Sequence, residues 1–294
     1  MNVNNKAKGV KYTFSGHESF PCKSLWLKKG YDFVAAGHDF NSPSAVMNLG
    51  VGKNMVASIR FWLRAFGITE NDKNTPLADY LFDDKTGKDC YLEDMATLWL
   101  LHFNLVFFEK ATLYKMFFCG LQRERTHFER EQVITFVKLK MAEAGKMTLF
   151  NYNTVRKDVG VLLQNYSLPR KAQSNEDYSS LLIDLDLIRQ DAENKGYFFN
   201  VDGKRKVTKE IFLYGLLKLK ELENDNTISF ETIQERIGLI FCLHDYETIE
   251  MLKQLESKYN QYFAYSDVAG IKQVQFIREL EAKQVLDDYY GTDI

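Results

Sequence analysis

Proline is scarce in this sequence, and its cysteines are isolated from one another. Only four prolines occur in 294 residues, so few positions resist helix formation. Cys22, Cys90, Cys119 and Cys242 include no CxxC pair, and such dispersed cysteines argue against a zinc finger or a disulfide framework. We therefore expect a reduced, cytoplasmic protein whose fold is stabilised by an apolar core.

Long apolar runs are absent as well. The N-terminal segment MNVNNKAKGVKYTF contains no apolar stretch of the kind found in signal peptides. The most apolar run, residues 96–108, is too short to span a bilayer and includes His102 and Asn104. Such a run is typical of a buried core helix, and we expect no membrane partner.

Familiar catalytic motifs are missing too. The sequence contains no GxSxG, no HExxH and no visible PD-(D/E)xK nuclease core. The LGVGK segment departs from a phosphate loop, because Met47 stands where the first glycine should be and Asn54 follows the lysine. Asp184 and Asp186 lie two residues apart on a predicted helix, where their side chains diverge. We interpret both as solvated or capping groups.

Positive charge is concentrated near the N-terminus, although the formal net charge is −2. Residues 1–67 contain nine Lys and Arg against three Asp and Glu, whereas the remaining 227 residues contain 29 against 37. No acidic residue occurs between Asp39 and Glu70. This asymmetry indicates a local anion-binding face on an otherwise acidic body.

Residues 42–67 are typical of a helix-turn-helix. Ser42 and Pro43 suit the start of a first helix, a Gly-Val-Gly turn follows, and a second helix is predicted from about Asn54 to Phe66. Apolar side chains repeat at helical spacing in that second helix and predict a buried stripe: Val56, Ile59, Leu63 and Phe66.

Another face of this second helix predicts DNA contacts. Basic and polar side chains recur there: Lys53, Asn54, Ser58, Arg60 and Arg64. Arginine and lysine bind phosphates or guanine, and asparagine and serine reach base edges, when such a helix enters a DNA groove. We predict that double-stranded DNA binds this face. The alternative is a solvated surface helix with two arginines.

A second helix-turn-helix is predicted within residues 126–166. Thr126 and Glu129 form a capping-box pair that opens its first helix. Arg156 and Lys157 lie in the first turns of its second helix and face outward, so we expect them to contact a second segment of DNA backbone. The alternative is ordinary solvation, since one basic pair is common on any helix.

Small hairpins are predicted beside the helices. After the N-terminal helix-turn-helix, a short helix and a return strand at residues 90–92 suggest a wing. A helix is predicted at residues 180–188, and a hairpin turns at Asp202-Gly203. Further helices and two strands around residues 267–270 follow. Their helix, helix, hairpin order predicts a second winged-helix-like unit at the C-terminus.

The predicted fold class is therefore mainly α with small β-hairpins. Residues 1–122 are assigned to a winged-helix-like DNA-binding domain, residues 123–169 to a helical connecting unit, and residues 178–294 to a C-terminal α-rich domain with hairpins. The polar segment PRKAQSNEDY, residues 169–178, is the predicted linker.

The SGHES cluster, residues 15–19, is the most unusual candidate for chemistry. His17 can serve as a general base, and Glu18 can hold a divalent cation such as Mg²⁺. Gly16 permits tight backbone geometry. The alternative, which the residue types favour, is a buried histidine bonded to the backbone, with Glu18 paired to a lysine.

Three sequence blocks resemble a known bacterial family. They are FSGHESFPCKSLWLKKGYDF, AVMNLGVGKNMVASIRFWLRAFGI and CYLEDMATLWLLHF, and weaker matches occur at NTVRKDVGVLLQNY and DVAGIKQVQF. The family is that of the B component of the Ssp DNA-phosphorothioation defence system. The resemblance extends over essentially the whole chain and is strongest in the N-terminal third.

The resemblance implies a function in DNA modification. In that family the B component is linked to nicking one strand of double-stranded DNA, so that sulfur can replace a non-bridging phosphate oxygen. The sulfurtransferase and ATPase components of the system are the implied partners. No catalytic residues carry over, and the carboxylates expected of a Mg²⁺ nuclease are not visible. A non-catalytic DNA-binding adaptor and a protein-interaction scaffold therefore stand as alternatives.

Overall fold

Helices form most of the computed structural model, which describes residues 12–168, 179–191 and 196–291. The predicted linker at residues 169–178 lies outside these ranges. The α-helices are α1 (Trp26–Ala35), α2 (Ala45–Leu49), α3 (Lys53–Ala65), α4 (Pro76–Phe82), α5 (Met95–Phe107), α6 (Thr112–Lys115), α7 (Gln122–Glu124), α8 (Arg130–Glu143), α9 (Tyr152–Tyr166), α10 (Lys209–Glu223), α11 (Phe230–Ile233), α12 (Asp245–Tyr259) and α13 (Ala282–Tyr290). The strands are β1 (Thr69–Glu70), β2 (Lys73–Asn74), β3 (His127–Phe128), β4 (Ile188–Gln190), β5 (Tyr197–Phe199), β6 (Thr227–Ser229), β7 (Phe263–Val268) and β8 (Ile271–Phe276). A mainly α fold with small antiparallel sheets is thereby confirmed.

The helix pair predicted near the N-terminus is formed by α2 and α3. Gly50 ends α2 at a φ of 61°, a left-handed conformation that glycine adopts without steric cost. The first helix starts at Ala45, later than the predicted start at Ser42. α3 packs closely on α1 at Gly30, which has no side chain. A Cβ at that position would lie only 2.5 Å from Cδ1 of Leu63.

The hairpin after α3 occurs earlier than predicted. β1 and β2 pair across Asn71 and Asp72, whose φ values of 50° and 58° suit a tight two-residue turn. The return strand predicted at residues 90–92 is wrong. Asp89 accepts hydrogen bonds from the backbone amides of the two residues before α5, at 2.9 and 3.1 Å, and holds this segment as a turn.

Two later units share one strand order. The first contains β3, α8, α9, β4 and β5, with the sheet order β3-β5-β4. The second contains β6, α11, α12, β7 and β8, with the sheet order β6-β8-β7. In each unit the strand before the helix pair bonds to the last strand of the hairpin that follows it. The β7–β8 hairpin confirms the strands predicted around residues 267–270.

Two elements predicted in and just after the first of these units are wrong. Residues 180–188 are not a helix, because the amide of Leu181 bonds to the carbonyl of Cys22 at 2.9 Å, and only a 3₁₀ turn, Ile183–Leu185, precedes β4. The hairpin predicted to turn at Asp202-Gly203 is replaced by pairing of β5 with β3 and β4. In both places long-range pairing overrides the local pattern.

The N-cap of α8 differs from the predicted one, and α9 begins at an asparagine cap. Glu129, rather than Thr126, is the N-cap of α8, and it forms a capping box with Gln132. Asn151 caps α9 by accepting a hydrogen bond from the amide of Thr154 at 3.0 Å. The α8–α9 pair itself lies where the second helix-turn-helix was predicted.

α5 is the central core helix that its apolar sequence predicts. All of its residues except Met95 are buried. His102 lies 2.7 Å from the Tyr166 hydroxyl through Nδ1 and 2.7 Å from the Ile240 carbonyl through Nε2. One buried apolar cluster includes residues from all three predicted domains, and their boundaries remain predictions. Across the described ranges no helix combines the length and apolarity needed to cross a membrane.

Candidate nucleic-acid interface

An open groove lies along the exposed edge of α3. Its volume is about 690 Å³. The residues with charged or amide side chains that line it are Glu18, Asn41, Lys53, Asn54, Arg60 and Arg64. Phe40, Pro43 and Val46 contribute apolar side chains to the same lining. Four of the five DNA-contact residues predicted on this helix therefore line one groove.

The first turn of α3 presents both charge and free amides. Lys53 and Asn54 are exposed there, and Arg64 is exposed three turns later. The N-cap residue, Gly52, has no side chain to bond the first amides, and the first turn contains no acidic residue. The positive end of a helix dipole combined with uncapped amides favours an anionic ligand such as a phosphate.

The guanidinium of Arg60 is already hydrogen-bonded to other side chains of the protein. Its Nε donates to Asp72 Oδ1 at 2.9 Å, its Nη2 donates to Oδ2 of the same carboxylate, and its Nη1 donates to Asn41 Oδ1 at 3.0 Å. The hydrogen bonds with Asp72 raise the pKa of Arg60, and the same contact lowers the pKa of Asp72. Arg60 thus fixes the β1–β2 turn against α3, and most of its donors are already used.

The predicted DNA contact by Ser58 is wrong. The side chain is fully buried, at 0% exposure, and its hydroxyl has no hydrogen-bond partner among the described residues. The buried face of α3 is wider than the predicted stripe, because Phe61, Trp62 and Ala65 are buried along with it. Ser58 lies within this wider apolar face.

The SGHES loop has an unusual backbone. Ser15, Gly16, Glu18 and Ser19 have φ values of 70°, 99°, 47° and 65°. Positive φ is costly for residues with a Cβ, so the surroundings must hold this loop in place. A Cβ at Gly16 would lie 2.7 Å from Cδ2 of Phe61, so the loop and α3 are in tight contact.

His17 is enclosed by polar and aromatic partners. Its Nδ1 accepts a hydrogen bond from the Ser19 amide at 3.2 Å, so Nε2 carries the proton that is donated to Asp158 Oδ1 at 3.0 Å. The ring stacks on Trp62 with 6.0 Å between centroids, and only 5% of the residue is exposed. Both ring nitrogens are occupied, which argues against the predicted general-base role and agrees with the structural alternative.

Glu18 points to the groove but has no companions for a metal. It is exposed and lines the α3 groove. The nearby carboxylate, Asp158, already accepts hydrogen bonds on both oxygens, from Ser15 and His17. In the described part of the chain no three His, Cys, Asp or Glu side chains group as metal ligands do. These residues therefore do not fit a Mg²⁺ site.

Arg156 and Lys157 lie exposed near the start of α9. The neighbouring Tyr152 donates a hydrogen bond to Glu131 of α8 at 3.0 Å. The residue that follows the basic pair, Asp158, is buried and bonded to the SGHES loop. The two predicted DNA-contact helices, α3 and α9, are therefore joined through this loop.

Sequence reasoning missed the residues that hold these groups. Asp158 is 141 positions from His17, and in sequence it reads as an ordinary surface residue next to a basic pair. Asp72 offered a partial signal, because an Asn-Asp dipeptide marks a turn. Its pairing with Arg60 depends on the hairpin folding back, which no local pattern reports.

The fold and the groove define a class: a mainly α-helical protein built from helix pairs and short hairpins, with a basic groove along the second helix of the first pair. Within that class, the chain belongs to the family described as protein of unknown function DUF4007, whose model matches residues 14–290. No curated protein matches the sequence.

Two solved structures are similar in fold. The crystal structure of magnesium-ion-bound SspB has a TM-score of 0.83 with this chain at 23% sequence identity, and the match covers 95% of this chain and 88% of that chain. A second SspB crystal structure has a TM-score of 0.82 with the same identity and coverage. The SspB-like fold implied by the sequence blocks is thereby confirmed.

Proposed function

We propose that this chain is a double-stranded DNA-binding protein of a bacterial DNA-phosphorothioation system. The observation that carries the proposal is the α3 groove, where exposed Lys53 and Asn54 lie at an uncapped helix N-terminus and exposed Arg64 lines the same groove three turns further along the helix. Most protein–DNA hydrogen bonds go to the phosphate and sugar groups, and the phosphate oxygens accept them from Lys and Arg side chains and from the backbone amides at helix N-termini. The SspB-like fold supports the assignment to a DNA-phosphorothioation system, and we propose that the sulfurtransferase and ATPase components of that system are the partners of this chain.

The helix–hairpin arrangements support a winged-helix mode of binding. α3 is followed at once by the β1–β2 hairpin. α9 is the second helix of the unit whose sheet has the order β3-β5-β4, so a hairpin follows this helix as well. In helix-turn-helix proteins the second helix enters the major groove and its neighbours contact the backbone. We assign that role to α3, with Arg156 and Lys157 of α9 on a second backbone segment.

The geometry favours a targeting role over strand nicking by the described residues. Nicking needs a base for water and a stabiliser for the phosphorane charge. His17 is buried with both nitrogens bonded, and Glu18 has no partner carboxylate to hold Mg²⁺. We therefore propose that the chain binds DNA and recruits the sulfur-transfer components, the adaptor alternative. Nicking by this chain stays a prediction.

Fluorescence anisotropy with a labelled duplex tests the binding proposal. Lys53→Ala/Arg64→Ala should weaken binding about tenfold or more, because two phosphate contacts are lost. Lys253→Ala/Lys283→Ala is the matched control, since it removes the same charge from α12 and α13. Equal weakening by both double variants would mean that net charge, and not this groove, controls binding. No binding by the wild-type protein would favour the scaffold alternative.

Plasmid relaxation separates the adaptor from the nickase. The adaptor predicts no conversion of supercoiled to open-circular DNA by purified protein, with Mg²⁺ or with EDTA. Metal-dependent relaxation that survives His17→Ala would place catalysis elsewhere in the chain. Metal-dependent relaxation lost in His17→Ala would restore the predicted catalytic role of the SGHES cluster.

A further inference from the structure

Two buried side chains of α9 fasten the N-terminal segment of the protein. Asp158 accepts hydrogen bonds from the Ser15 amide at 2.8 Å and from His17 at 3.0 Å. Asn165 accepts a hydrogen bond from the Cys22 amide at 2.9 Å. Asp158 and Asn165 are seven residues apart and so share one face of the helix. The segment from residue 15 to residue 22 therefore lies along α9.

The same segment is also fixed to α3. His17 stacks on Trp62 with an angle of 16° between the rings. The indole nitrogen of Trp62 donates to the Phe20 carbonyl at 3.0 Å. Gly16 packs against Phe61 with no room for a Cβ. We call residues 15–22, with Asp158 and Asn165, the clasp, because they join α3 to α9.

The clasp is expensive to build. Asp158 is 5% exposed, and burying a carboxylate is unfavourable unless each oxygen is hydrogen-bonded. Three residues of the clasp with a Cβ, Ser15, Glu18 and Ser19, adopt positive φ, which costs free energy at each position. Apolar side chains would cover the same surface at lower cost. A directional polar connection instead fixes the orientation of the two helices it joins.

We propose that His17 and Asp158 are positioning residues for DNA binding. The clasp holds the basic start of α9, Arg156 and Lys157, in a fixed orientation to the α3 groove, so that one duplex contacts both. Two contacts on a rigid body bind more tightly than two loosely connected ones, because the second contact does not lose orientational freedom on binding. This inference rests on the proposed DNA-binding function.

A double-mutant cycle on duplex affinity tests the proposal. The first change is Asp158→Asn, which keeps the side-chain shape and removes the carboxylate charge. The second is Arg156→Ala/Lys157→Ala, measured in the wild type and in Asp158→Asn. The control is Asp202→Asn, because Asp202 forms a similar bond with His244, at 3.1 Å, between two exposed side chains that are not part of the clasp. Thermal unfolding and near-UV circular dichroism report whether each variant is folded.

We expect the α9 pair to cost about tenfold in affinity in the wild type and less than about threefold in Asp158→Asn. The cost of Lys53→Ala/Arg64→Ala should stay the same in both backgrounds, and Asp202→Asn should leave every value unchanged. If Asp158→Asn does not fold, His17→Leu, which removes the donor toward Asp158 and keeps an apolar side chain beside Trp62, takes its place with the same expectation.

Two results would overturn the positioning role. Equal loss from the α9 pair in both backgrounds would show that the clasp does not orient α9, while DNA binding itself stands. An α9 pair without effect in the wild type would remove the second contact altogether. A wild-type protein that binds no duplex would instead reject the proposed function, so the two failures are distinguishable.

Discussion

Arg60 and Arg64 look equivalent in sequence, but the structure predicts different effects for their removal. The guanidinium of Arg60 makes two bonds to Asp72 and one to Asn41, and the Arg60 and Asp72 side chains are 28% and 33% exposed. A half-buried, two-pronged pair of this kind contributes about 1–2 kcal/mol, more than an open surface pair. Arg60→Ala should therefore lower the free energy of unfolding by about that amount.

Arg64 provides the comparison. It is exposed, and its one hydrogen bond in the described structure is from Nε to the Arg60 carbonyl at 3.4 Å. Arg64→Ala should change stability by less than about 0.5 kcal/mol and should act mainly on DNA affinity. Urea unfolding of both variants measures the difference directly.

A double-mutant cycle with Asp72→Ala makes the test specific to the pair. Once Asp72 is absent, Arg60→Ala should cost about 1 kcal/mol less than in the wild type, because the bonds it would break are already gone. If Arg60→Ala lowered the free energy of unfolding equally in the two backgrounds, or if the Arg60 and Arg64 variants were equally stable, the stabilising role assigned to the Arg60–Asp72 pair would be refuted.

Three further predictions follow from single sites. Burial lowers the pKa of His102 to about 4, below the 6.5 of an exposed histidine, so the unfolded chain takes up the proton first as the pH falls. The contribution of neutral His102 to the free energy of unfolding should be fully present above pH 6.5 and should fall by about 3 kcal/mol as the pH drops to 4. Urea unfolding of His102→Gln over this pH range should lack this part of the pH dependence. Gly16→Ala should destabilise by more than about 2 kcal/mol, because it combines positive φ with a clash on Phe61, whereas Gly37→Ala, at a φ of 76° with open space around it, should cost only about 1 kcal/mol in thermal unfolding. Glu18→Gln removes the acidic side chain from the groove lining and should tighten duplex binding about two- to fivefold at low salt, with the gain disappearing at high salt; an unchanged affinity at low salt would place the DNA away from Glu18.

Local patterns predicted the helices well. The apolar run that became α5, the α2–α3 pair with its glycine turn and the position of α9 all depend on side-chain periodicity and turn residues within a few positions of one another. The β7–β8 hairpin is equally local, since its strands flank a short turn at Ala269 and Gly270. The residues within each of these elements are therefore sufficient to predict it.

Long-range pairing explains most of what the sequence did not reveal. β3 and β5 join residues about seventy positions apart, as in the pairing of His127 with Phe198, and strands of two or three residues leave no alternating pattern to read. The helix predicted at residues 180–188 is wrong for the same reason, since its start is bound to the strand-like segment at Cys22.

The candidate site divides in the same way. Lys53, Asn54 and Arg64 were predictable, because exposed basic residues at helical spacing follow from the sequence of α3 alone. The burial of Ser58 was not, since it depends on how many neighbours pack around the helix. The enclosure of His17 was not either, because Asp158 and Trp62 come from two different helices. Residue types identified the cluster, and only the packing determines its role.

The salt dependence of duplex binding tests the central claim most directly. Each phosphate contact contributes about 0.9 to the slope of log K against log salt concentration. If the α3 groove binds DNA, the wild-type protein should show a steep slope, and Lys53→Ala/Arg64→Ala should reduce it by about two units, while Lys253→Ala/Lys283→Ala leaves it unchanged. A wild-type affinity that ignores salt, or a slope that the groove variant does not change, would contradict the account.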